Sequence, residues 1–189
     1  MLLPIYAYGQ SVLKQVAKNI DATYENLPAL IVNMWQTMYD ANGVGIAAPQ
    51  VGLAIRLFVI DTIQIEDDER KPDFKGFKKV FINAQILEQT GKEWGYEEGC
   101  LSIPNVRGEV MRKETIKIRY QDENFVEHTE TFSGVNARVI QHEYDHIEGV
   151  LFVEKLNPVK RNLVRPKLDN IRRGKVKDVD YKMKFANIK

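Results

Sequence analysis

The stretch GVNARVIQHEYDHI at residues 134–147 contains the pattern around which the rest of the chain is organised. Placed on a helix at about 100° per residue, it predicts a helix over 134–147 with one face that is apolar apart from two imidazoles. That face carries Val135, Val139, His142 and His146, whereas Arg138, Gln141, Asp145 and Glu148 fall on the polar side. Two histidines four residues apart can bind one metal ion, and Glu143 lies beside them. The pattern therefore predicts a metal-binding helix.

A hydrolytic metal site usually has three protein ligands and leaves one position for water, so a third ligand must lie elsewhere in the chain. In the metzincin pattern it would be a histidine six residues after His146, but that position is Phe152. A thermolysin-like site needs a glutamate on a following helix, and none follows Glu154. His128 lies among glutamates in a predicted exposed strand. The lone cysteine, Cys100, is the remaining candidate, and its alternative interpretation is a small buried hydrophobic residue.

The other periodic segments predict a second helix and a mainly antiparallel sheet. Apolar residues recur at helical spacing over 24–41, where Gly43 offers a stop. Short β-branched or aromatic runs predict strands at 57–60, 80–86, 116–120 and 125–132. Over 157–173, Leu163, Leu168 and Ile171 allow a weakly amphipathic helix that Pro166 interrupts or begins. The predicted fold class is α+β, with antiparallel sheets packed around a central helix carrying HExxH and with a C-terminal helix.

Composition predicts one soluble domain. The chain has 189 residues, of which 44% are apolar and 28% are charged. The first nine residues carry no basic n-region, and no segment approaches the roughly 20 apolar residues of a membrane span. A single cysteine cannot form an internal disulfide. We expect a cytoplasmic protein that makes no membrane contact.

Charge is distributed unevenly along the chain. Residues 155–189 hold 12 Lys and Arg against three Asp, which gives this tail a net charge of +9 and the preceding body −8. A basic tail of this kind is typical of a solvated helix or a disordered end, and its alternative interpretation is attraction to nucleic acid. We expect residues 1–156 to form the catalytic part and residues 157–189 a basic C-terminal helix or tail of the same domain.

Three blocks of sequence carry a family resemblance: GVGIAAPQ at 43–50, EGCLS at 98–102 and QHEYDH at 141–146. Each block alone would be weak, but in this order they resemble the three motifs of the peptide deformylases. The shorter bacterial class with a helical C-terminus is the most similar. The likeness covers roughly residues 3–155, and it is weakest over 63–79 and after Asn157.

The resemblance implies a metal-dependent hydrolase that removes the formyl group from the N-terminal methionine of nascent proteins and releases formate. The implied metal ligands are Cys100, His142 and His146. Glu143 would act as general base and then general acid. The side-chain amide of Gln50 and the backbone N–H of Leu101 would stabilise the negative charge on the formyl oxygen.

The resemblance also implies how substrate and metal are held. The substrate would pair as an added strand with Val44, Gly45 and Gly99. The methionine pocket would be lined by Val44, Tyr96, Val135 and Val139, each of which is equally able to be ordinary core, and Arg107 would lie near the peptide path. The implied metal is Fe²⁺, which Zn²⁺, Ni²⁺ or Co²⁺ can replace, and the donor set suits zinc and iron alike. We expect a monomer of the bacterial cytoplasm that acts on N-formyl-Met nascent peptides.

Three other functions remain open at this stage. A zinc metallopeptidase of the HExxH type would share the chemistry, but EGCLS argues against it. A nucleic-acid or ribosome-binding module is indicated by the basic tail, and such binding weakens steeply with salt. Ribosome contact through the tail is also compatible with deformylation. A cysteine hydrolase using Cys100 would not require two histidines on one helical face.

Overall fold

A five-stranded antiparallel sheet frames the molecule in the computed structural model, which describes residues 1–65 and 74–186. Its strands are β2 (Gly45–Ala47), β3 (Leu57–Asp61), β4 (Lys78–Cys100), β5 (Ile103–Gln121) and β6 (Glu127–Ser133), which pair in chain order. A separate parallel pair joins β1 (Ile5–Tyr6) to β7 (Met183–Lys184). Part of the segment 63–79 and the last three residues of the basic tail lie outside the described residues. The predicted α+β class is confirmed.

The strands β4 and β5 form a hairpin much longer than the sequence predicts. The predicted strands at 80–86 and 116–120 are only the ends of this hairpin that lie nearest β3 and β6. Residues 87–97 are exposed or half-buried and are mostly polar residues and glycines, so they lack the regular apolar alternation that identifies a strand. The pairing shifts register four times, and the last shift lies between Gly99 and Cys100. The hairpin therefore ends in a tight turn at Leu101 and Ser102.

The central helix α2 (Gly134–Ile147) has the predicted bounds. It begins at Gly134, whose φ of +61° favours glycine, and a second such glycine, Gly149, follows its end. Ala137, Ile140 and Ile147 pack into a cluster with sheet residues such as Phe58. The polar side that the sequence predicts is partly buried. Arg138 and Gln141 are buried at 2% and 4% exposure because β4 and β5 cover that side of the helix.

The first helix, α1 (Leu27–Asp40), begins three residues later than the sequence predicts. Asn26 adopts the left-handed conformation just before it, and Pro28 lies in the first turn, where its missing N–H is harmless. Met34 and Met38 are fully buried against Ile46 and Leu57. Helix α1 thereby supports β2, the strand that contains Gly45.

The basic tail folds against the body. Helix α3 (Pro158–Arg172) begins where Asn157 accepts a hydrogen bond from the Lys160 N–H at 2.8 Å. It runs through Pro166, which corrects the prediction of an interruption there. Pro166 has no N–H to donate to the Asn162 carbonyl, and both residues are exposed, so solvent can reach that carbonyl. Leu163 is 70% exposed, contrary to its predicted place on the apolar face. The buried residues are Val164, Leu168 and Ile171. Within the described residues, no helix is long and apolar enough to cross a membrane.

Candidate active site

Three side chains with metal-binding atoms meet where the end of β4 approaches α2. Cys100 ends β4, and His142 and His146 lie one turn apart on the helix. One ligand atom from each lies within 4.8 Å of the other two, and Cys100 Sγ is 3.3 Å from His146 Nε2. His128 lies elsewhere and contacts Asp122 at 2.8 Å. The structure thus brings together the three predicted ligands and leaves out the fourth candidate.

The cluster is suited to a divalent metal ion by its donors and by its burial. A thiolate and two imidazoles are a common donor set for zinc and iron. Nδ1 of His142 donates to Glu98 Oε2 at 2.9 Å, which directs Nε2 towards the cluster and fixes the ring. In addition, the buried Oε2 of Glu143 has no hydrogen-bond partner among the described residues. Such an unpaired oxygen beside three potential ligands fits a site built around a metal and water.

The side chain of Glu98 contacts this cluster through His142, and the sequence did not indicate this role. Its carboxylate accepts two hydrogen bonds from Arg112, at 2.7 and 2.9 Å, and one from Arg138 at 3.0 Å. Arg112 also donates to Asp145 at 2.7 Å. Burial opposes the charge of Glu98, but the hydrogen bonds and charges of Arg112 and His142 outweigh it, so the pKa of Glu98 lies well below its usual range. A fixed anion therefore orients His142.

In the metal-free cluster, the pKa values of the two histidines are shifted in opposite directions. Burial would lower the pKa of His142, but its contacts with Cys100 and Glu98 outweigh burial and raise that pKa well above the usual value. Burial and the neighbouring His142 charge lower the pKa of His146 well below it. Burial also raises the pKa of Glu143 to about 7. His146 is thus neutral and able to act as a ligand, whereas a metal must displace a proton from His142.

Gly45 leaves room for the Glu143 carboxylate. A Cβ atom at position 45 would lie 2.6 Å from Glu143 Oε1 and 2.9 Å from its Cδ. Because Glu143 is 4% exposed, it has little space into which to move. The sequence suggested that this glycine admits a substrate backbone. The structure gives it a further role, since it sets the position of the carboxylate.

Gln50 points its amide at the same cluster. Its Oε1 accepts a hydrogen bond from the Ala47 N–H at 2.8 Å, which leaves Nε2 facing Cys100 Sγ at 3.4 Å and Ser102 Oγ at 3.4 Å. Gln50 is 1% exposed. Both Gln50 and the Leu101 backbone therefore border the metal-ligand cluster, where the sequence predicts two donors.

A cleft of about 580 Å³ opens onto this centre. It is lined by twelve of the predicted site residues: Val44, Gly45, Gln50, Tyr96, Gly99, Cys100, Leu101, Arg107, Val135, Val139, His142 and Glu143. His146 lies behind them and is 1% exposed. Arg138 and residues 178–181 also line the cleft, and the sequence analysis included neither. Helical spacing placed Arg138 on the polar side of the helix, and nothing in the sequence of residues 157–189 indicated contact with the site.

Comparisons with known proteins agree with this geometry. Residues 2–162 match the family model described as polypeptide deformylase. The chain is 57% identical to a peptide deformylase of Christiangramia forsetii and 55% identical to one of Flavobacterium johnsoniae, in each case over 100% of this chain and 98% of the relative. The crystal structure of a peptide deformylase from Legionella pneumophila superposes with a TM-score of 0.80 at 36% identity, covering 94% of this chain and 99% of that one. This chain therefore belongs to the polypeptide deformylase family.

Proposed function

We propose that the cleft removes the formyl group from N-formyl-Met nascent peptides through the residues that surround the cluster. Deformylation of new proteins is the activity of the family to which the chain belongs, and the family is metal-dependent. The observation that carries the assignment of residues is the meeting of Cys100, His142 and His146 beside the buried Glu143 in one cleft. A thiolate from the end of β4 and two imidazoles from α2 meet in a cleft that is open to substrate.

Cys100, His142 and His146 would hold the metal ion. We propose Fe²⁺, with Zn²⁺, Ni²⁺ or Co²⁺ able to replace it, because a thiolate with two imidazoles suits these borderline cations. When bound, such an ion lowers the pKa of a water from 15.7 towards about 7 and so supplies a nucleophile near neutral pH. Metal analysis of protein purified without oxygen, compared with protein purified in air, tests the identity of the ion.

Glu143 would move the proton. Its carboxylate has a pKa of about 7 in the metal-free site and an Oε2 atom without a partner among the described residues, so it can accept a proton from the attacking water. The same carboxylic acid then donates to the departing methionine nitrogen. One side chain thereby serves both halves of the hydrolysis.

Gln50 and Leu101 would stabilise the charge that develops on the formyl oxygen. The Nε2 of Gln50 already points towards the cluster because the Ala47 N–H holds Oε1. The second donor is the Leu101 N–H in the turn after Cys100. Loss of such a donor typically costs about 2.7–4 kcal/mol of transition-state stabilisation.

The substrate peptide would lie along the cleft between β2 and the end of β4. Val44, Gly45 and Gly99 would pair with its backbone, and the methionine side chain would enter between Val135, Val139 and Tyr96. Arg107, which contacts Glu97 at 3.3 Å on the exposed rim, would lie near the following residues. Confinement in this pocket would select a formylated methionine.

Formate release from a formyl-Met peptide tests the assignment. We compare anaerobically purified wild type with Glu143→Ala at matched metal content, and with Glu114→Ala as a control that removes an exposed carboxylate. We expect Glu143→Ala to lose about 10²–10⁴-fold in kcat and the control to retain full activity. A metal-loaded wild type that releases no formate would overturn the assignment, and cleavage of an internal peptide bond would instead favour a peptidase.

We also propose that residues 157–189 belong to the same domain and hold the enzyme near the ribosome. The burial of Val164, Leu168 and Ile171 in a cluster with Ile103 and Phe152 supports the first part. The exposed basic side chains of α3, such as Arg165 and Lys167, support the second. A monomer of the bacterial cytoplasm is consistent with this role.

A further inference from the structure

The C-terminal arm, residues 174–186, contributes to the lining of the cleft and is held to the body at two places. Just before residues 178–181 in the chain, the Lys177 carbonyl accepts a hydrogen bond from Asn105 Nδ2 at 2.9 Å. Just after residues 178–181, the carbonyls of Lys182 and Lys184 accept hydrogen bonds from the N–H groups of Ile5 and Ala7 at 2.8 and 2.9 Å. Residues 178–181, between these anchors, line the cleft. The family match ends at residue 162, so the arm lies beyond it.

One side chain of the arm reaches the turn that joins β4 to β5. The hydroxyl of Tyr181 donates to the Leu101 carbonyl at 2.8 Å, and its ring packs against the core cluster that includes Met34 and Ile46. Burial, and then the negative charge of Cys100, raise the pKa of Tyr181 above its usual range. The phenol therefore keeps its proton near neutral pH and donates to the Leu101 carbonyl.

The position of this hydrogen bond matters because Leu101 is the residue between Cys100 and Ser102. The turn is also held by the Tyr8 N–H, which donates to the Ser102 carbonyl at 2.8 Å, and by Gln50 Nε2 at 3.4 Å from Ser102 Oγ. Those two contacts hold Ser102, and the phenol of Tyr181 holds Leu101. The Leu101 carbonyl lies in the planar peptide unit that it shares with the Ser102 N–H. Only the φ and ψ angles of Leu101 separate this plane from the Leu101 N–H, so fixing the plane limits the directions that the N–H can take.

We propose that Tyr181 is a positioning residue for deformylation, which fixes Leu101 so that its N–H points at the formyl oxygen. The inference rests on the function proposed above for Leu101. The contribution is made in the transition state, when charge develops on that oxygen, so it affects kcat more than KM.

The test compares metal-loaded Tyr181→Phe with wild type in the full chain. The substitution keeps the ring and removes the hydroxyl, so we expect kcat to fall about three- to tenfold, in line with one net hydrogen bond, while KM changes less than twofold. Hydrogen exchange of the Leu101 amide should accelerate in the same variant. Tyr6→Phe is the matched control, because the Tyr6 hydroxyl accepts from Lys184 Nζ at 3.1 Å and so contacts the same arm without contacting Leu101.

The outcomes separate positioning from other roles. An unchanged kcat, or a raised KM at constant kcat, would overturn the proposal, as would equal losses in the Tyr181→Phe and Tyr6→Phe variants. Failure of the wild type to release formate would overturn the proposed function instead. In that case the exchange of the Leu101 amide still reports whether Tyr181 holds the turn.

Discussion

At the scale of single residues, the position of the Glu143 carboxylate depends on the missing side chain of Gly45. We predict that Gly45→Ala lowers kcat about tenfold to a hundredfold, because its Cβ would lie 2.6 Å from Glu143 Oε1 and must displace it. Formate-release kinetics at matched metal content measure the effect.

Gly99→Ala provides the comparison within the same cleft. A Cβ there would meet nothing closer than 3.6 Å, so the free protein accepts it. We expect this variant to raise KM and to keep its melting temperature, since the added methyl group meets the substrate strand. A Gly45→Ala enzyme with wild-type kcat would contradict the steric argument.

A second residue-scale prediction concerns the stability of the metal-free protein. Burial raises the pKa of Glu143 from 4.5 to about 7, so the native state becomes less stable as the pH rises between these values, and the cost is complete above about pH 7. Glu143→Gln removes this charge. We predict that it stabilises the chelator-treated protein by on the order of 1–3 kcal/mol at pH 8, and by much less at pH 5.

Urea unfolding at the two pH values measures the difference. A gain that is the same at pH 5 and pH 8 would assign the effect to packing rather than to ionisation. Such a result would also weaken the view that Glu143 is held ready to accept a proton near neutral pH.

The third residue-scale prediction concerns Glu98, the carboxylate that accepts a hydrogen bond from the proposed metal ligand His142. Glu98→Gln should weaken metal binding about tenfold to a hundredfold, because Glu98 orients His142 through a hydrogen bond of 2.9 Å. Competition with a chelator of known affinity measures this. Glu97→Gln is the control, since the Glu97 side chain is 65% exposed and pairs with Arg107. Equal affinities for the two variants would contradict the role of Glu98.

The residues of the site differ in how far the sequence could predict them. Cys100, His142 and His146 follow from helical spacing, the lack of other ligands and the three motifs. Glu98 lies within one of those motifs, but its partners do not, because Arg112 is on β5 and Arg138 is on α2. Helical spacing shows which residues share a face of one helix but not what packs against that face. It therefore placed Arg138 on a polar side that the sheet in fact covers.

At the scale of elements, the helices were predicted more closely than the strands. Helix α2 has both a clear period and glycines beyond its interior, so its bounds were confirmed. Much of the β4–β5 hairpin has no clear apolar period, because residues 87–97 are largely solvated. Its stability comes from pairing between strands, which no local pattern reveals.

Helix α3 gives an element-scale prediction with a control on the same helix. Leu168 is 6% exposed in the cluster with Ile103 and Phe152, so Leu168→Ala should lower the free energy of unfolding by about 2–5 kcal/mol. Leu163 is 70% exposed, and Leu163→Ala should change it by less than about 0.5 kcal/mol. Chemical denaturation distinguishes them. Equal, small effects would mean that α3 is not part of the folded core.

At the scale of the whole molecule, helix α3 carries five of the 12 basic residues that give residues 155–189 their net charge of +9, and most of its side chains are solvated. Deleting this tail would also remove buried residues, so replacing charges is the sharper test of ribosome contact. We predict that Arg165→Glu with Lys167→Glu reduces co-sedimentation with ribosomes and leaves formate release from a free peptide unchanged.

The control for that prediction changes two lysines on the β4–β5 hairpin, Lys92→Glu with Lys117→Glu, which are also exposed. It alters the net charge equally but at another place. Equal loss of co-sedimentation in both variants would indicate a general effect of charge rather than binding through α3.

The parallel pairing of β1 with β7 has a consequence for the order in which the enzyme is made. Residues 5 and 6 are synthesised long before their partners, residues 183 and 184. Tyr181 follows Leu101 by 80 positions and is likewise late. A truncated or stalled chain can therefore contain every proposed metal ligand and Glu143 and still lack residues 178–181 of the cleft lining. An enzyme that processes unfinished proteins thus completes its own cleft only after residue 184 has been made.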